Sequence, residues 1–231
     1  MISFPQSQFF KFEDTFNSEN ISITEFKGWN GLLVMRIKNL ENLKNKNTVI
    51  KSKFFYINKN EKLIIATKGE VNITVDNRDY LLKEFDSLNI FNEKKLSIDF
   101  KKVSELYLVT AENLISQSKK PFLFNFKKDI SPKDIWGGEC ISRVYFGDQL
   151  NIVMFDLKPG FKFHDDGHTN EQITWIVNGE IDFYVDNIKK KLKNNLGVDI
   201  GKNIPHGGIS NGAIGFDAFF PKRQENKYHN K

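Results

Sequence analysis

Residues 159–180, PGFKFHDDGHTNEQITWIVNGE, decide how the rest of the chain is read. A Pro-Gly turn opens the stretch and two of the protein's four histidines follow, His164 and His168, with Gln172 four residues after the second. Next comes QITWIV, a run with strand character, and Asn178-Gly179, whose tolerance of positive φ predicts a two-residue hairpin turn into EIDFYV. Alternate residues of a strand share a face, so Gln172, Thr174 and Ile176 point one way and Ile173, Trp175 and Val177 the other. The second face is wholly apolar and must be covered. The first is mixed, as the lining of a ligand cavity would be. A third histidine, His206, stands in NIPHGG, residues 203–208, and the fourth, His229, lies in a polar tail near the end. A chain this poor in histidine that places three of four in two short loops is building a site.

Outward from this stretch the pattern stays β. Toward the N-terminus, residues 1–25 read as an arm, 32–37 as a strand, 39–47 as a polar loop, and 49–57, 62–67, 71–75, 80–82, 87–91, 96–100 and 106–110 as short strands. Clusters of Asn, Asp, Gly and Lys separate them, as in closely spaced antiparallel sheets. Residues 141–146, 151–157, 172–177, 181–185, 198–200 and 215–220 form a second such set. Helix signals are few: Ser131–Trp136, with a capping serine and a proline in the first turn, and Ala111–Ser116. Laying Glu61–Asn77 over Glu171–Asn187 at a shift of 110 residues gives six identities in 17 positions, the Gly-Glu pair and the closing Val-Asp-Asn among them. The agreement predicts an internal duplication. Its units are an N-terminal β domain over 1–112, a connection over 113–133 and a C-terminal β domain over 134–231.

Composition narrows the partners. Of 231 residues, 39% are hydrophobic and 27% charged, ordinary for a globular chain that can bury a core. The net charge is +5, but the lysines are scattered, which predicts a solvated surface and no nucleic-acid partner. No apolar run approaches the ~20 residues that span a bilayer, so no membrane partner is expected. The first residues lack a basic segment followed by a hydrophobic one, and the single Cys140 has no partner for a disulfide. A cytoplasmic location with a buried structural thiol is the expectation. The apolar strand around Trp175 would suit either a homodimer or packing within the chain.

On a strand entering a barrel, His168 and Gln172 share parity, and His206 can reach the same point from a neighbouring strand. Imidazole nitrogens with one or two oxygen ligands suit a divalent first-row metal that keeps positions open. A Pro-Gly turn, histidines, Gln172, Gly179 and a later Pro205-His206-Gly207 resemble the two sequence motifs of the cupin superfamily. The resemblance implies an all-β chain of two tandem cupin barrels (double-stranded β-helix or jelly roll) with few short helices. Asn170-Glu171-Gln172-Ile173, Pro205-His206-Gly207 and the closing Phe219-Phe220-Pro221-Lys222-Arg223 are most similar to the isomerase-type bicupins of bacilysin biosynthesis. Carried over, His168, Gln172 and His206 would be metal ligands. The family's His-x-His would put its first histidine at position 166, where this chain has Asp166. Either His164 binds instead through a bulged loop eased by Gly167, or Asp166 binds and His164 serves as acid–base catalyst. The shift of 110 sets Asn58 against His168 and Lys62 against Gln172, which implies a metal-free N-terminal half. The implied protein is an enzyme using one divalent transition metal (Fe, Mn, Co, Ni or Zn) on a small oxygen-rich metabolite, a keto acid or sugar-derived carbonyl compound. Isomerisation or tautomerisation is the leading reaction, and dioxygenation or non-catalytic binding of a sugar or small acid are the alternatives.

Overall fold

The computed structural model describes residues 7–12, 16–18, 21–39, 61–91, 96–100, 103–111, 120–134, 137–194 and 196–223. Nineteen strands account for its regular structure: β1 Ser7–Lys11, β2 Phe16–Ser18, β3 Ile21–Lys27, β4 Leu32–Asn39, β5 Lys62–Lys68, β6 Val71–Val75, β7 Arg78–Leu82, β8 Asp86–Ile90, β9 Leu96–Phe100 and β10 Ser104–Ala111 in the first half. The second half holds β11 Phe122–Asn125, β12 Lys133–Asp134, β13 Cys140–Phe146, β14 Asn151–Leu157, β15 Lys162–Asp165, β16 Glu171–Val185, β17 Ile188–Lys193, β18 Leu196–Ile200 and β19 His206–Phe220. Among the described residues there is no helix, and none long and apolar enough to cross a membrane. The helix expected at Ser131–Trp136 is replaced where it is described. Lys133 and Asp134 pair with Ser142 and Ile141, so tertiary pairing overrides the local capping signal. Of the other expected helix, Ala111 closes β10 and the rest lies outside the described residues, as do the strand expected over 49–57 and most of the loop over 39–47.

The chain divides into two compact units whose membership departs from a simple cut in sequence. One comprises Met1–Phe12, Lys27–Leu32 and Ile130–Lys231, the other Glu13–Phe26 and Leu33–Asp129. The N-terminal arm therefore belongs to the C-terminal unit, where β1 pairs with β18. The turn at 29–31 belongs there too. Glu171, fully buried, accepts hydrogen bonds from the amides of Asn30 (2.9 Å) and Leu32 (3.0 Å). Within the stretch expected as a connection, β11 belongs to the N-terminal unit and pairs there with β8.

In the N-terminal unit a sheet ordered β11-β8-β5-β10-β4-β3-β2 faces a smaller one ordered β7-β6-β9. Ile21, Ile23, Met35, Ile37, Ile64, Ala66, Ile73, Ile98, Phe100, Leu106 and Leu108 meet between the two sheets. Each of the Ile, Leu, Met and Phe side chains there contributes roughly 1.5–3 kcal/mol of burial. The C-terminal unit has one sheet, β1-β18-β16-β19-β14-β13-β12, with β15 added to β19 and β17 to β16. It encloses Phe155, Leu157, Phe161, Ile176, Ile181, Phe183, Val185 and Ile200.

The duplication is visible in the strands. A shift of 110 lays β5 and β6 onto the two arms of β16, β7 onto β17, β8 onto β18 and β9 onto the first arm of β19, and a shift of 109 lays β10 onto its second arm. The same strands correct the expected hairpin. Asn178-Gly179 does not reverse the chain; β16 runs through it and stays paired with β19 on both sides, with irregular register at Ile176/Asn178 and Gly179/Ile181. Gly179 has φ 76°, and a Cβ there would collide with the carbonyl oxygen of Gly212 on β19. The glycine bends a long strand where two backbones touch. Gly69 (φ 79°) does the same between β5 and β6, which lie in different sheets. The hairpins fall instead at the repeated Val-Asp-Asn. Val75 pairs with Arg78 across Asp76 (φ 47°) and Asn77 (φ 65°), and Val185 with Ile188 across Asp186 and Asn187. Asp and Asn tolerate left-handed backbone well, so a two-residue turn forms there without glycine.

Candidate metal centre

Strand pairing brings the site together. β15 lies antiparallel to the start of β19, with Asp165 opposite His206 and His164 opposite Gly207. Residues directly opposite share a face. Asp165 and His206 therefore point to one side and His164 to the other. After β15 the chain turns through Gly167 (φ 108°), whose hydrogen lies where a Cβ would come 2.6 Å from the backbone of Asn203. The Asn203 amide donates to the His168 carbonyl (2.7 Å), tying the His168 loop to the loop that carries His206. Donor atoms of Asp165, His168 and His206 all lie within 4.8 Å of one another. The two imidazoles meet edge to face with ring centres 5.3 Å apart, and Phe219 packs against His168.

Each imidazole is fixed by its second nitrogen. Nδ1 of His168 is 2.9 Å from the Asn170 carbonyl and Nδ1 of His206 is 2.9 Å from the Ile204 carbonyl. A carbonyl can only accept, so Nδ1 carries the proton and Nε2 is left with its lone pair, the usual arrangement of a metal-binding histidine. At the start of β16, Gln172 donates through Nε2 to Thr174 Oγ1 (2.9 Å) and Asp217 Oδ1 (3.1 Å). Its Oε1 faces His168 Nε2 at 2.8 Å. Arg223 donates from Nη2 to Asp165 Oδ2 (2.8 Å), and Gly167 N–H to Asp165 Oδ1 (2.8 Å).

The electrostatics favour neutral imidazoles beside an ionised carboxylate. Burial, helped by the Arg223 charge, lowers the His168 pKa to about 4 against the Gln172 hydrogen bond. His206 is lowered by burial as well. For Asp165, burial pushes upward but the Arg223 hydrogen bond and charge outweigh it, and the pKa is lowered. Asp217, partly buried, is pushed up to about 6 by desolvation.

Of the residues singled out in the sequence, His168, Gln172 and His206 come together. His164 and Asp166 do not. His164 is about half exposed on the outer face, with Nδ1 2.6 Å from the Tyr184 hydroxyl and Nε2 2.8 Å from Asp166 Oδ1, and Asp166 is almost fully exposed. Neither a ligand role for this pair nor an acid–base role for His164 at the cluster fits that placement. His229 lies outside the described residues. The carboxylate that joins the histidines is Asp165, which the sequence reading passed over. Its signal was the alternation of β15, where Phe163 and Asp165 share the inner face and His164 the outer. A cleft of about 540 Å³ on the outer side of β16 and β17, lined by Tyr184, Lys189, Lys190 and Ile209, does not include the cluster. The donor chemistry, and not the size of a cleft, marks the site.

That chemistry fits a cation. With the proton on Nδ1, His168 Nε2 is an acceptor facing another acceptor, Gln172 Oε1, at 2.8 Å. The other neutral tautomer of His168 would only move the conflict to the Asn170 carbonyl. Full protonation is opposed by a pKa near 4. Two ligand atoms on adjacent positions of one ion, each at about 2.1 Å, are about 3 Å apart, so a metal resolves the conflict. His168, His206, Gln172 and Asp165 would supply two nitrogens and two oxygens to it.

No family profile and no curated protein matches the sequence. Among solved structures, the protein Ylba from E. coli superposes with a TM-score of 0.75 at 11% identity, over 95% of this chain and 93% of its own. A cupin 2 conserved barrel domain protein from Leptotrichia buccalis gives 0.64 at 14% identity, over 96% and 100%. A variant of oxalate decarboxylase from Bacillus subtilis gives 0.69 at 11% identity, over 93% and 77%. At such identities the likeness is one of fold, and by fold this chain is two cupin barrels in tandem.

Proposed function

We propose that the C-terminal barrel is a metal-dependent enzyme site for a small oxygen-rich metabolite, a keto acid or sugar-derived carbonyl compound, which it isomerises or tautomerises in the cytoplasm. The observation that carries this reading is the acceptor pair of Gln172 Oε1 and His168 Nε2, held 2.8 Å apart by partners that already use their other polar atoms. A divalent transition metal held by His168, His206, Gln172 and Asp165 would polarise a carbonyl or carboxylate oxygen of the substrate. Gln172 in place of a carboxylate leaves one negative charge fewer on the ion and a stronger electrophile. Arg223, anchored on Asp165 and lying 5.4 Å over the Phe219 ring, offers a fixed positive charge to an anionic substrate group. The apolar side chains behind, Phe155, Ile176 and Phe183, keep water from the far end of the barrel. The solved structure of oxalate decarboxylase supports the reading only in showing that this fold serves chemistry on a small carboxylate.

Elemental analysis of protein purified without added metal or chelator tests it, beside the His168→Ala/His206→Ala double variant. About one equivalent of iron, manganese, cobalt, nickel or zinc is expected in the parent and none in the variant. Absence of metal from the parent even after reconstitution would overturn the enzyme reading and favour a metal-free binding module.

A further inference from the structure

The Gln172 amide has two ends that differ only in hydrogen-bonding sense, and the site needs its oxygen. Something must set the direction. At the far end of the side chain stand Thr174 and Asp217, opposite one another on β16 and β19. The Thr174 hydroxyl donates to Asp217 Oδ1 at 2.6 Å, so toward Gln172 it can only accept. Asp217 Oδ1, when ionised, also only accepts. Both partners therefore require the amide nitrogen, at 2.9 and 3.1 Å, and the oxygen is driven toward His168. Reversing the amide would set Oε1 against two acceptors, while its NH2 group would satisfy His168 Nε2 without any ion.

From this geometry we propose that Asp217 is a positioning residue: it keeps Gln172 turned oxygen-first, holding the acceptor pair open for a cation. The inference rests on the metal reading of the site and adds the group that enforces it. In the N-terminal barrel the three corresponding places hold Lys62, Ile64 and Leu108, with Leu108 opposite Ile64 as Asp217 is opposite Thr174.

Asp217→Asn is the test, because an asparagine satisfies the amide in either direction and keeps the shape. Cobalt(II) affinity is measured at pH 8 on the chelator-stripped full chain, with and without Gln172→Glu, whose carboxylate has no wrong end. Asp217→Asn is expected to weaken cobalt binding about tenfold, without lowering the melting temperature of the metal-free protein. In the Gln172→Glu background it should cost nothing. In the metal-free Asp217→Asn protein, 15N NMR of the imidazoles should show His168 Nε2 accepting a hydrogen bond that the parent lacks. Unchanged cobalt affinity, an equal loss in the Gln172→Glu background, or the same His168 spectrum in both proteins would overturn the proposal. A parent that binds no cobalt but shows the NMR change would overturn the metal reading alone, leaving Asp217 as the group that sets the amide.

Discussion

The two barrels share a strand plan but fill their interiors differently. Where β16 and β19 present Gln172, Thr174 and Asp217 inward, β5 and β10 present Lys62, Ile64 and Leu108. The N-terminal interior is closed by aliphatic packing, with Ile64, Ala66, Leu106 and Leu108 all buried in one cluster. A charged cluster lies on the opposite face of the sheet. There Arg36 donates to Glu105 Oε2 from Nε (3.1 Å) and Nη2 (2.7 Å), Lys38 stands 3.2 Å from the same oxygen, and the Thr67 hydroxyl donates to Glu105 Oε1. The same fold can thus hold its polar groups inside the barrel or outside it.

Exchanging one residue between the interiors should break the comparison most sharply. Leu108→Asp buries a carboxylate in the aliphatic cluster of Ile64, Met35 and their neighbours, and is expected to cost several kcal/mol. Asp217→Leu removes a carboxylate that burial disfavours but leaves the buried Thr174 hydroxyl and Gln172 amide without their acceptor, and chemical denaturation should register a smaller cost of about 1–3 kcal/mol. If both substitutions destabilise alike, the two interiors are less different than their side chains indicate.

Much of this difference was legible in the sequence. The repeat at a shift of 110, the strand boundaries and the convergence of His168, Gln172 and His206 all follow from local pattern and parity. What was misread depends on long-range pairing. Asn178-Gly179 has the composition of a hairpin turn, but the turn is denied by β19, which lies beside β16 through the whole length and needs Gly179 only as a bend. Asp165 and His164 both carry donor atoms, and strand alternation allows only one of the two to face inward. Which one faces inward is set by the pairing of β15 with β19, where Asp165 meets His206, 41 residues later, and the only local hint is that Phe163 shares the parity of Asp165.

The buried acids give the units opposite pH slopes. In the N-terminal unit, burial raises the Glu105 pKa but the charges and hydrogen bonds of Arg36 and Lys38 outweigh it, and the pKa is lowered. Its stabilisation is present above the unfolded value near 4.5 and is lost as pH falls. In the C-terminal unit, burial and the neighbouring Glu171 charge push Asp199 up to about 8. The folded unit keeps a proton that the unfolded chain has released, so stability falls as pH rises from about 4 to about 8. Asp199→Asn should therefore stabilise the protein at pH 8, by on the order of 2 kcal/mol, and change little at pH 4. Glu105→Gln should flatten the loss of stability below pH 4.5. Thermal melts across that range check both, and an alkaline slope that survives Asp199→Asn would assign it elsewhere.

The smallest expected effect is the most telling about the site. His164 and Asp165 are neighbours with opposite directions, and only Asp165 joins His168 and His206. His164→Ala removes a half-exposed ring whose hydrogen bonds go to Tyr184 and Asp166 on the outer face, so its cost should be within about 0.5 kcal/mol. Its metal content should equal that of the parent. Asp165→Ala takes away an oxygen donor and also frees Arg223 beside two imidazoles, where an uncompensated positive charge opposes a cation. Metal should then be retained in His164→Ala and largely lost in Asp165→Ala. The reverse result would mean that β15 turns over when the ion binds, exchanging its inner and outer faces, since no smaller movement can bring His164 inside while Asp165 leaves.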